Sequence, residues 1–358
     1  MNLKLELKKE VNNLDNYLKH NFYWKNMFFS ENNMYFINSN YKEISVLSKK
    51  NLDVIFNEKI LNTNEVHIVK SEIFLIDNKS YLFYVKFLKL QNIQIMGELS
   101  YTLILVNLET LEKKEYKTSE ISNDKFVFDK KRKNIIYALE QIDENDYAHM
   151  NLIIFNVEKW CEIKRKKIYY KEENNEKLIN FEDTSIHLED ICISNNGDTL
   201  VLTTFDEVTI IINLDNLEII KYLFDSGLKI TFSNDDKYII FGTKRDNLAL
   251  FYDTTNWELF YKITIPVDED DYLDYYFQYE YRINNKGLNV TYNNKYLVIE
   301  TWNPNCILFY DIKKKKLRKK ITNSNNFYHF NLYVSKTENI LAYQDYESNS
   351  LKIYELTE

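Results

Sequence analysis

The sequence predicts an all-β protein built from seven copies of one four-stranded antiparallel unit. Three observations carry this. First, one phrase keeps returning: an alternating apolar strand ends on a short polar residue, a few polar residues follow, and a second strand begins. It reads LALFYDTTNWELFYK at 248–262, TLILVNLETLEKKEY at 102–116, NLIIFNVEKWCEIK at 151–164, VTIIINLDNLEIIKY at 208–222 and CILFYDIKKKKLRKK at 306–320. Second, the residues that close the leading strand are Ser48, Asn107, Asn156, Asn213, Asp253, Asp311 and Glu355, spaced on average about 51 apart, a repeat-architecture period. Third, aromatics make up 15% of the chain, with 29 Tyr and 22 Phe, and these residues favour pleated, half-buried surfaces. Only 5 Gly and 2 Pro are present, so Asn and Asp must supply the turns, which both tolerate.

The unit can be justified strand by strand. The leading strand of the phrase is the third of four, and the strand after it is the fourth: LDVIF, LEKKEY, WCEIK, LEIIKY, WELFYK and LRKKI. Ahead of it lie two more, joined by a Ser/Asn/Asp turn. Examples are ICISNNGDTLVLTT (191–204), ITFSNDDKYIIFGT (230–243), VTYNNKYLVIET (290–301) and LYVSKTENILAY (332–343). The result is a meander a–b–c–d with short, regular turns. Each unit cannot bury its faces alone and must stack on its copies. Tyr252, Trp257, Phe309 and Tyr310 read as packing residues in that stack. The alternatives, an open stack of hairpins or two β-sandwiches, use the same units without closing a ring.

These units resemble degenerate WD-repeat β-propeller blades. The Trp-Asp pair of that family is represented by Tyr252-Asp253 and Tyr310-Asp311, and more weakly by Tyr354-Glu355 and Phe155-Asn156. Its b–c turn Asp is matched by Asp206 and Asp246, and its Gly-His by His187 without the Gly. The unit from about Ile186 to Phe224 matches best. Units one to three, roughly 23–170, match by pattern alone. Kelch repeats fit less well, because their paired glycines are missing. The expectation is a single seven-bladed propeller over 1–358. The last unit stops after strand c, which would leave an open edge. NLKLELK (2–8) alternates Leu3, Leu5 and Leu7, so it is expected to pair with 350–356 and close the ring. Leu7, Val11, Leu14 and Leu18 fit helical spacing, so a short helix near 10–19 is expected to follow within a 1–22 clasp.

Composition bounds the function. The chain has 358 residues, 45% hydrophobic and 28% charged, with net charge −8. No basic excess points to nucleic acid, and no apolar run approaches the ~20 residues of a membrane span. The first residues show no secretory pattern. Cys161, Cys192 and Cys306 are scattered and odd in number, which suits neither a disulfide framework nor a metal knuckle. The expectation is a cytoplasmic protein with no cofactor, no membrane partner and no nucleic-acid partner.

In a meander the b–c and d–a loops leave one edge of the unit, and the a–b and c–d turns leave the other. The long loops 88–100, 141–150, 171–190 and 267–281 fall on the first edge and carry Asp143, Glu144, Asp146, Glu172, Glu173, Glu176, Glu182 and Asp183. The turns carry Lys130, Lys131, Arg132, Lys133 and Lys313 to Lys316. The expectation is an acidic loop face and a basic turn face, with Lys244 and Arg245 as exceptions. The sharpest feature is an insertion at 265–285 that mixes Asp268, Glu269, Asp270, Asp271 and Asp274 with Tyr272, Leu273, Tyr275, Tyr276, Phe277, Tyr279 and Tyr281. Interface cores are rich in Tyr and Phe, and acidic rims steer basic partners. Asp268, Glu269, Asp270, Asp271, Tyr272, Tyr275, Tyr276, Phe277 and Tyr279 are therefore the candidate docking residues for a basic protein or peptide. The resemblance implies a non-catalytic scaffold. The alternative is an enzyme or a metal or small-ligand binder at a central channel, drawing on His20, His67, His149, His187 and His329. These lie in different units without close spacing, and no phosphate loop, nucleophile elbow or catalytic triad is visible. The short basic turns lack the interleaved aromatics of a single-strand binder.

Overall fold

Among the described residues the regular structure is twenty-eight strands, most of them alternating or continuously apolar. The computed structural model describes residues 3–11, 26–29, 35–39, 43–48, 53–59, 66–77, 79–88, 100–118, 126–129, 131–132, 134–144, 147–168, 188–204, 208–224, 226–227, 229–243, 248–264, 283–301, 306–322, 332–345 and 350–357. In chain order the strands are β1 (Lys4–Val11), β2 (Asn26–Phe29), β3 (Tyr35–Ser39), β4 (Glu43–Ser48), β5 (Val54–Lys59), β6 (Val66–Ile76), β7 (Lys79–Leu88), β8 (Ser100–Asn107), β9 (Lys113–Thr118), β10 (Phe126–Phe128), β11 (Ile135–Glu144), β12 (Tyr147–Asn156), β13 (Cys161–Ile168) and β14 (Leu188–Ile193). They continue as β15 (Thr199–Thr204), β16 (Thr209–Asn213), β17 (Ile219–Leu223), β18 (Lys229–Phe232), β19 (Tyr238–Gly242), β20 (Leu248–Asp253), β21 (Glu258–Thr264), β22 (Ile283–Val290), β23 (Tyr296–Thr301), β24 (Cys306–Asp311), β25 (Lys316–Thr322), β26 (Tyr333–Val334), β27 (Ile340–Asp345) and β28 (Ser350–Thr357).

The described strands form seven four-stranded sheets. Six are meanders of consecutive strands, from β2-β3-β4-β5 to β22-β23-β24-β25, and the seventh runs β1-β28-β27-β26. The residues that recur in the sequence fall where the repeat put them: Ser48, Asn107, Asn156, Asn213, Asp253 and Asp311 each end a third strand. By internal packing the chain forms two compact units, one of Tyr23–Ile193 with Leu214–Leu217, the other of Met1–Phe22, Ser194–Asn213 and Glu218–Glu358.

In the Tyr23–Ile193 unit one core is aromatic. Phe74 stacks on Phe128 at 4.0 Å between ring centres, and Phe83 meets Phe126 edge-on at 4.5 Å. Phe155 and Trp160 complete the cluster. A second cluster joins Ile37, Ile44 and Val46 of the first sheet to Leu82, Tyr84 and Ile104 of the next. In the other unit, Ile240 and Phe251 pack with Leu288, Val290, Leu297 and Leu308. Leu3 and Leu356 share a cluster with Val298, Phe309, Val334 and Leu341. Each fully buried side chain of this size is worth roughly 1.5–3 kcal/mol, so the contacts between neighbouring sheets decide stability. Trp257, Phe309 and Tyr310 are all buried, as their reading as packing residues requires.

The expected N-terminal strand is present and longer than its sequence pattern. β1 pairs antiparallel with β28, from Lys4 opposite Thr357 to Val11 opposite Leu351. Leu3 is buried and Leu5 partly so, while a bulge between Leu7 and Lys9 leaves Leu7 exposed. Glu10 and Val11 belong to the strand, so the helix does not begin at residue 10; the pairing register extends past the apolar alternation. Residues 12–19 lie outside the described residues. A second correction concerns 141–150. It is no long loop: β11 and β12 run on to pair Glu144 with Tyr147, leaving a two-residue connection. Ladder hydrogen bonds hold Asp143 and Glu144 in strand despite their polarity. Of the 265–285 insertion, 283–285 are already β22.

Candidate functional site

The expected binding segment connects the fourth strand of one sheet to the first of the next. It leaves β21 at Thr264 and enters β22 at Ile283. Its two stalks are anchored in one core, because Ile263 and Leu288 belong to the same buried cluster. Asp268, Glu269, Asp270, Asp271, Tyr272, Tyr275, Tyr276, Phe277 and Tyr279 themselves lie outside the described residues. So do His20, His187, His329, Asp206, Asp246, Lys244 and Arg245. His67 stands second in β6 and His149 third in β12, both close to the loop-bearing end of their strands. Among the described residues no group of three or more His, Cys, Asp or Glu is placed to hold a metal ion.

What supports the loops was missed in the sequence. Three b–c loops begin at a threonine. The Val208 N–H donates to Thr204 Oγ1 at 3.3 Å, and the Thr204 N–H donates to the Val208 carbonyl at 2.9 Å. Leu248 and Thr243 repeat this at 3.0 and 2.9 Å. Thr301 faces Cys306, with Oγ1 and Sγ 3.0 Å apart. The hydroxyl pins the loop base by replacing a ladder hydrogen bond where the strands part. The signal was legible, since TLVLTT, YIIFGT and YLVIET all end on Thr. Beneath the d–a connection of the β15–β17 strands, Thr209 Oγ1 and Ser226 Oγ lie 2.6 Å apart and fully buried. Gly227 follows with φ +103°, and a Cβ there would stand 2.7 Å from the Gly242 carbonyl oxygen.

The opposite edge is better ordered chemically. The c–d turns after Asn107, Asn156, Asn213, Asp253 and Asp311 end their strands on a residue whose side chain or backbone holds the turn, and the residue four further on is left-handed. Asn107 Oδ1 accepts from the Glu109 N–H at 2.9 Å, and Leu111 has φ +61°. Asn156 accepts from Lys159 at 2.8 Å ahead of Trp160, φ +52°. Asp253 accepts from Thr255 at 2.8 Å ahead of Trp257, φ +59°, and Asp311 from Lys314 at 2.8 Å ahead of Lys315, φ +51°. The Thr255 hydroxyl and N–H hold the Asp253 carboxyl below its usual range. For Asp311, burial pushes upward, but the Lys314 N–H and Arg318 outweigh it and hold the group low. The Asp of the resembled pair is thus a turn-former in this chain.

The a–b turns open on Asp129, Ser194, Ser233, Thr291 and Ser335, all buried. Within the Ser194–Asn213 and Glu218–Glu358 unit these turns are stapled in series. Asp236 accepts from the Asn195 N–H and Nδ2 at 2.8 Å each and from the Asn196 N–H at 2.7 Å. Asn294 Oδ1 accepts from the Asn234 N–H at 2.7 Å, while Asn234 Nδ2 donates to the Thr291 carbonyl at 2.8 Å. Fourth strands also reach the next sheet's c–d turn. Lys221 Nζ donates to the Trp257 carbonyl at 3.2 Å and Tyr261 Oη to the Ile312 carbonyl at 3.3 Å. In the Tyr23–Ile193 unit, Lys114 Nζ donates to the Glu158 carbonyl at 3.4 Å. There, too, Glu58 of β5 is held by Tyr84 Oη, Lys86 Nζ and, at 3.1 Å, Lys113 Nζ. Burial raises the Glu58 pKa, but Lys86, Tyr84 and Lys113 together overcome it and lower the group.

The turn edge is not uniformly basic, which corrects half of the expected charge polarity. Lys131, Arg132 and Lys313 to Lys315 are there, but so are Glu109, Asp129, Glu158, Asp198, Asp215, Asp235, Asp236 and Glu338. The physical reason is local. Carboxylates are the side chains that cap tight turns, and Arg132 is committed to Asp129 at 2.9 Å and to Asp215.

No protein-family model matches the sequence, and no curated protein matches it. Solved structures do: 1268 chains match. One is the β-propeller domain of Cps50 (Swd1) from Myceliophteria thermophila, at TM-score 0.67 and 11% identity, covering 99% of this chain and 100% of that one. The fold is a WD-repeat-like β-propeller of four-stranded antiparallel blades. At that identity the likeness speaks for the fold alone.

Proposed function

We propose that the protein is a non-catalytic interaction platform: one seven-bladed ring, closed by β1 on β28, that docks a basic protein or peptide through its 265–285 insertion. The observation that carries this is the anchoring of the strands that flank the insertion. β21 and β22 contribute Ile263 and Leu288 to one apolar cluster, and irregular segments on such scaffolds are where binding sites concentrate. The acidic-aromatic composition of Asp268 to Tyr279 suits a basic partner. Seven four-stranded sheets and the β1–β28 register support the ring. Cys161, Cys192 and Cys306, none of them in a disulfide, support a reducing, cytoplasmic setting.

The test is affinity capture from native lysate with the wild type and a variant whose 267–281 segment is a short Gly-Ser linker. The expected result is a specific basic protein captured by the wild type and lost from the variant. Replacing Tyr275, Tyr276 and Phe277 with Ser should weaken that capture. Identical captured sets from both chains would refute the assignment.

A further inference from the structure

From the β24–β25 turn and strand β25 we infer a second, separate surface: a site for the phosphate backbone of single-stranded nucleic acid. Seven of the eight residues at 313–320, KKKKLRKK, are cationic. Lys313, Lys314, Lys315 and Lys316 are exposed. The strand is the last of its sheet, so nothing among the described strands pairs beyond it. Leu317 and Ile321 turn inward onto apolar clusters on either side, and this fixes the strand and sends its lysines outward.

Several cations on other fourth strands already have work within the fold. Lys113 pairs with Glu58 and Glu115, Arg165 with Glu162, and Lys114 and Lys221 cap turns. In the 313–320 run Arg318 is committed to Asp311 at 3.1 Å, and Lys315 sits 4.3 Å over the Tyr261 ring. Lys313, Lys316 and Lys319 have no carboxylate partner among the described residues, and Lys314 shares the Asp311 carboxylate with Arg318. Neighbouring ammonium groups that outnumber their counter-charges repel one another, and such a cluster is the electrostatic footprint of a polyanion site even on a chain of net charge −8. Overall acidity argues against nucleic acid for the molecule as a whole, but it does not neutralise this strip, because exposed charges beyond about 10 Å are screened.

Geometry selects the class of polyanion. The cations start on the turn and continue along the strand, around a corner of the sheet. A flat bilayer could meet the turn or the strand but not both, whereas a flexible chain follows the corner. An acidic peptide would bind an edge strand chiefly by adding to its ladder. Here the register shifts at Phe309/Tyr310, so Arg318 is an extra, bulged residue on that edge, and bulges block strand addition. Recognition by charge alone remains, and lysines serve phosphate as point charges.

The experiment is fluorescence anisotropy of labelled oligouridine with the full-length chain, titrated at several salt concentrations. Binding should weaken with a log–log slope of about −3, from roughly −0.7 for each of four or so phosphates. The variant Lys313→Gln, Lys314→Gln, Lys316→Gln, Lys319→Gln should lose binding more than tenfold at low salt and most of that slope. Replacing the same four with Arg should keep both, and equal thermal melting of the two variants shows that the fold is intact. Failure of the wild type to bind oligouridine overturns the inference, as does a Gln variant that binds like the wild type. Polyglutamate that competes as well as oligouridine, or binding to phosphatidylserine vesicles but not to oligouridine, would reassign the strip and equally overturn it.

Discussion

Substituting Asp236 should show how much the series of turn staples contributes. Its carboxylate receives three hydrogen bonds, two from Asn195 and one from Asn196, and its backbone is left-handed at φ +54°. At a half-exposed site each bond is worth roughly 0.5–1 kcal/mol, so the three together come to about 2 kcal/mol. Forcing Ala into a left-handed conformation adds about 1 kcal/mol. Asp236→Ala should therefore lose about 3 kcal/mol. Asp236→Gly removes the same bonds but relieves the backbone, so about 2 kcal/mol should be lost. Asp236→Asn keeps an acceptor and tolerates the conformation, so about 1 kcal/mol should be lost. Urea unfolding followed by tryptophan fluorescence reads all three, and Trp257 lies in the same sheet. The reasoning fails if Ala and Gly are equally destabilising, since strain is then absent. It also fails if Ala costs less than about 0.5 kcal/mol, since the staples then contribute nothing.

Gly227→Ala places a Cβ 2.7 Å from the Gly242 carbonyl oxygen at φ +103°; differential scanning calorimetry should show a lower Tm, by roughly 2–3 kcal/mol of stability. Glu58→Gln should flatten the acid limb of stability against pH. The Glu58 pKa is lowered in the fold, so the carboxylate contributes stability above its usual value of 4.5. That stability is lost as pH falls through the lower folded value, and a wild-type-like acid limb in the variant would count against the network. Deleting residues 1–11 strips β1 from β28 and bares an edge; a lower melting temperature and increased light scattering are expected, and unchanged melting would show that β1 adds nothing to the stability of its sheet.

The repeat was legible because each sheet solves the same packing problem with the same alternation. Six of the seven third-strand ends and the fourth strands were readable from apolar pattern alone, whereas β28 runs past Glu355 to Thr357. Also readable was the pairing of residues 2–8 with 350–356, because an unpaired last strand is costly and Leu3 and Leu5 alternate correctly. The 141–150 segment was misread because Asp143 and Glu144 look like loop residues, whereas ladder hydrogen bonds tolerate them in strand beside a two-residue connection. The basic turn face was misread because net sign along a segment says nothing about which carboxylates the turns bury.

By itself the sequence determined the four-stranded unit and its strand order, since period-2 alternation and turn residues are local properties. It also marked the lysine run and the acidic-aromatic insertion as outliers from that repeat. Only the tertiary structure decided what depends on neighbours in space. Asn195 finds its partner at Asp236, Tyr84 and Lys86 find theirs at Glu58, and Arg318 bulges out of β25 to reach Asp311. Those partners stand far apart in sequence or across a register shift. Hydrogen bonds and ion pairs act over a few ångströms of space, and no pattern along the chain encodes that distance.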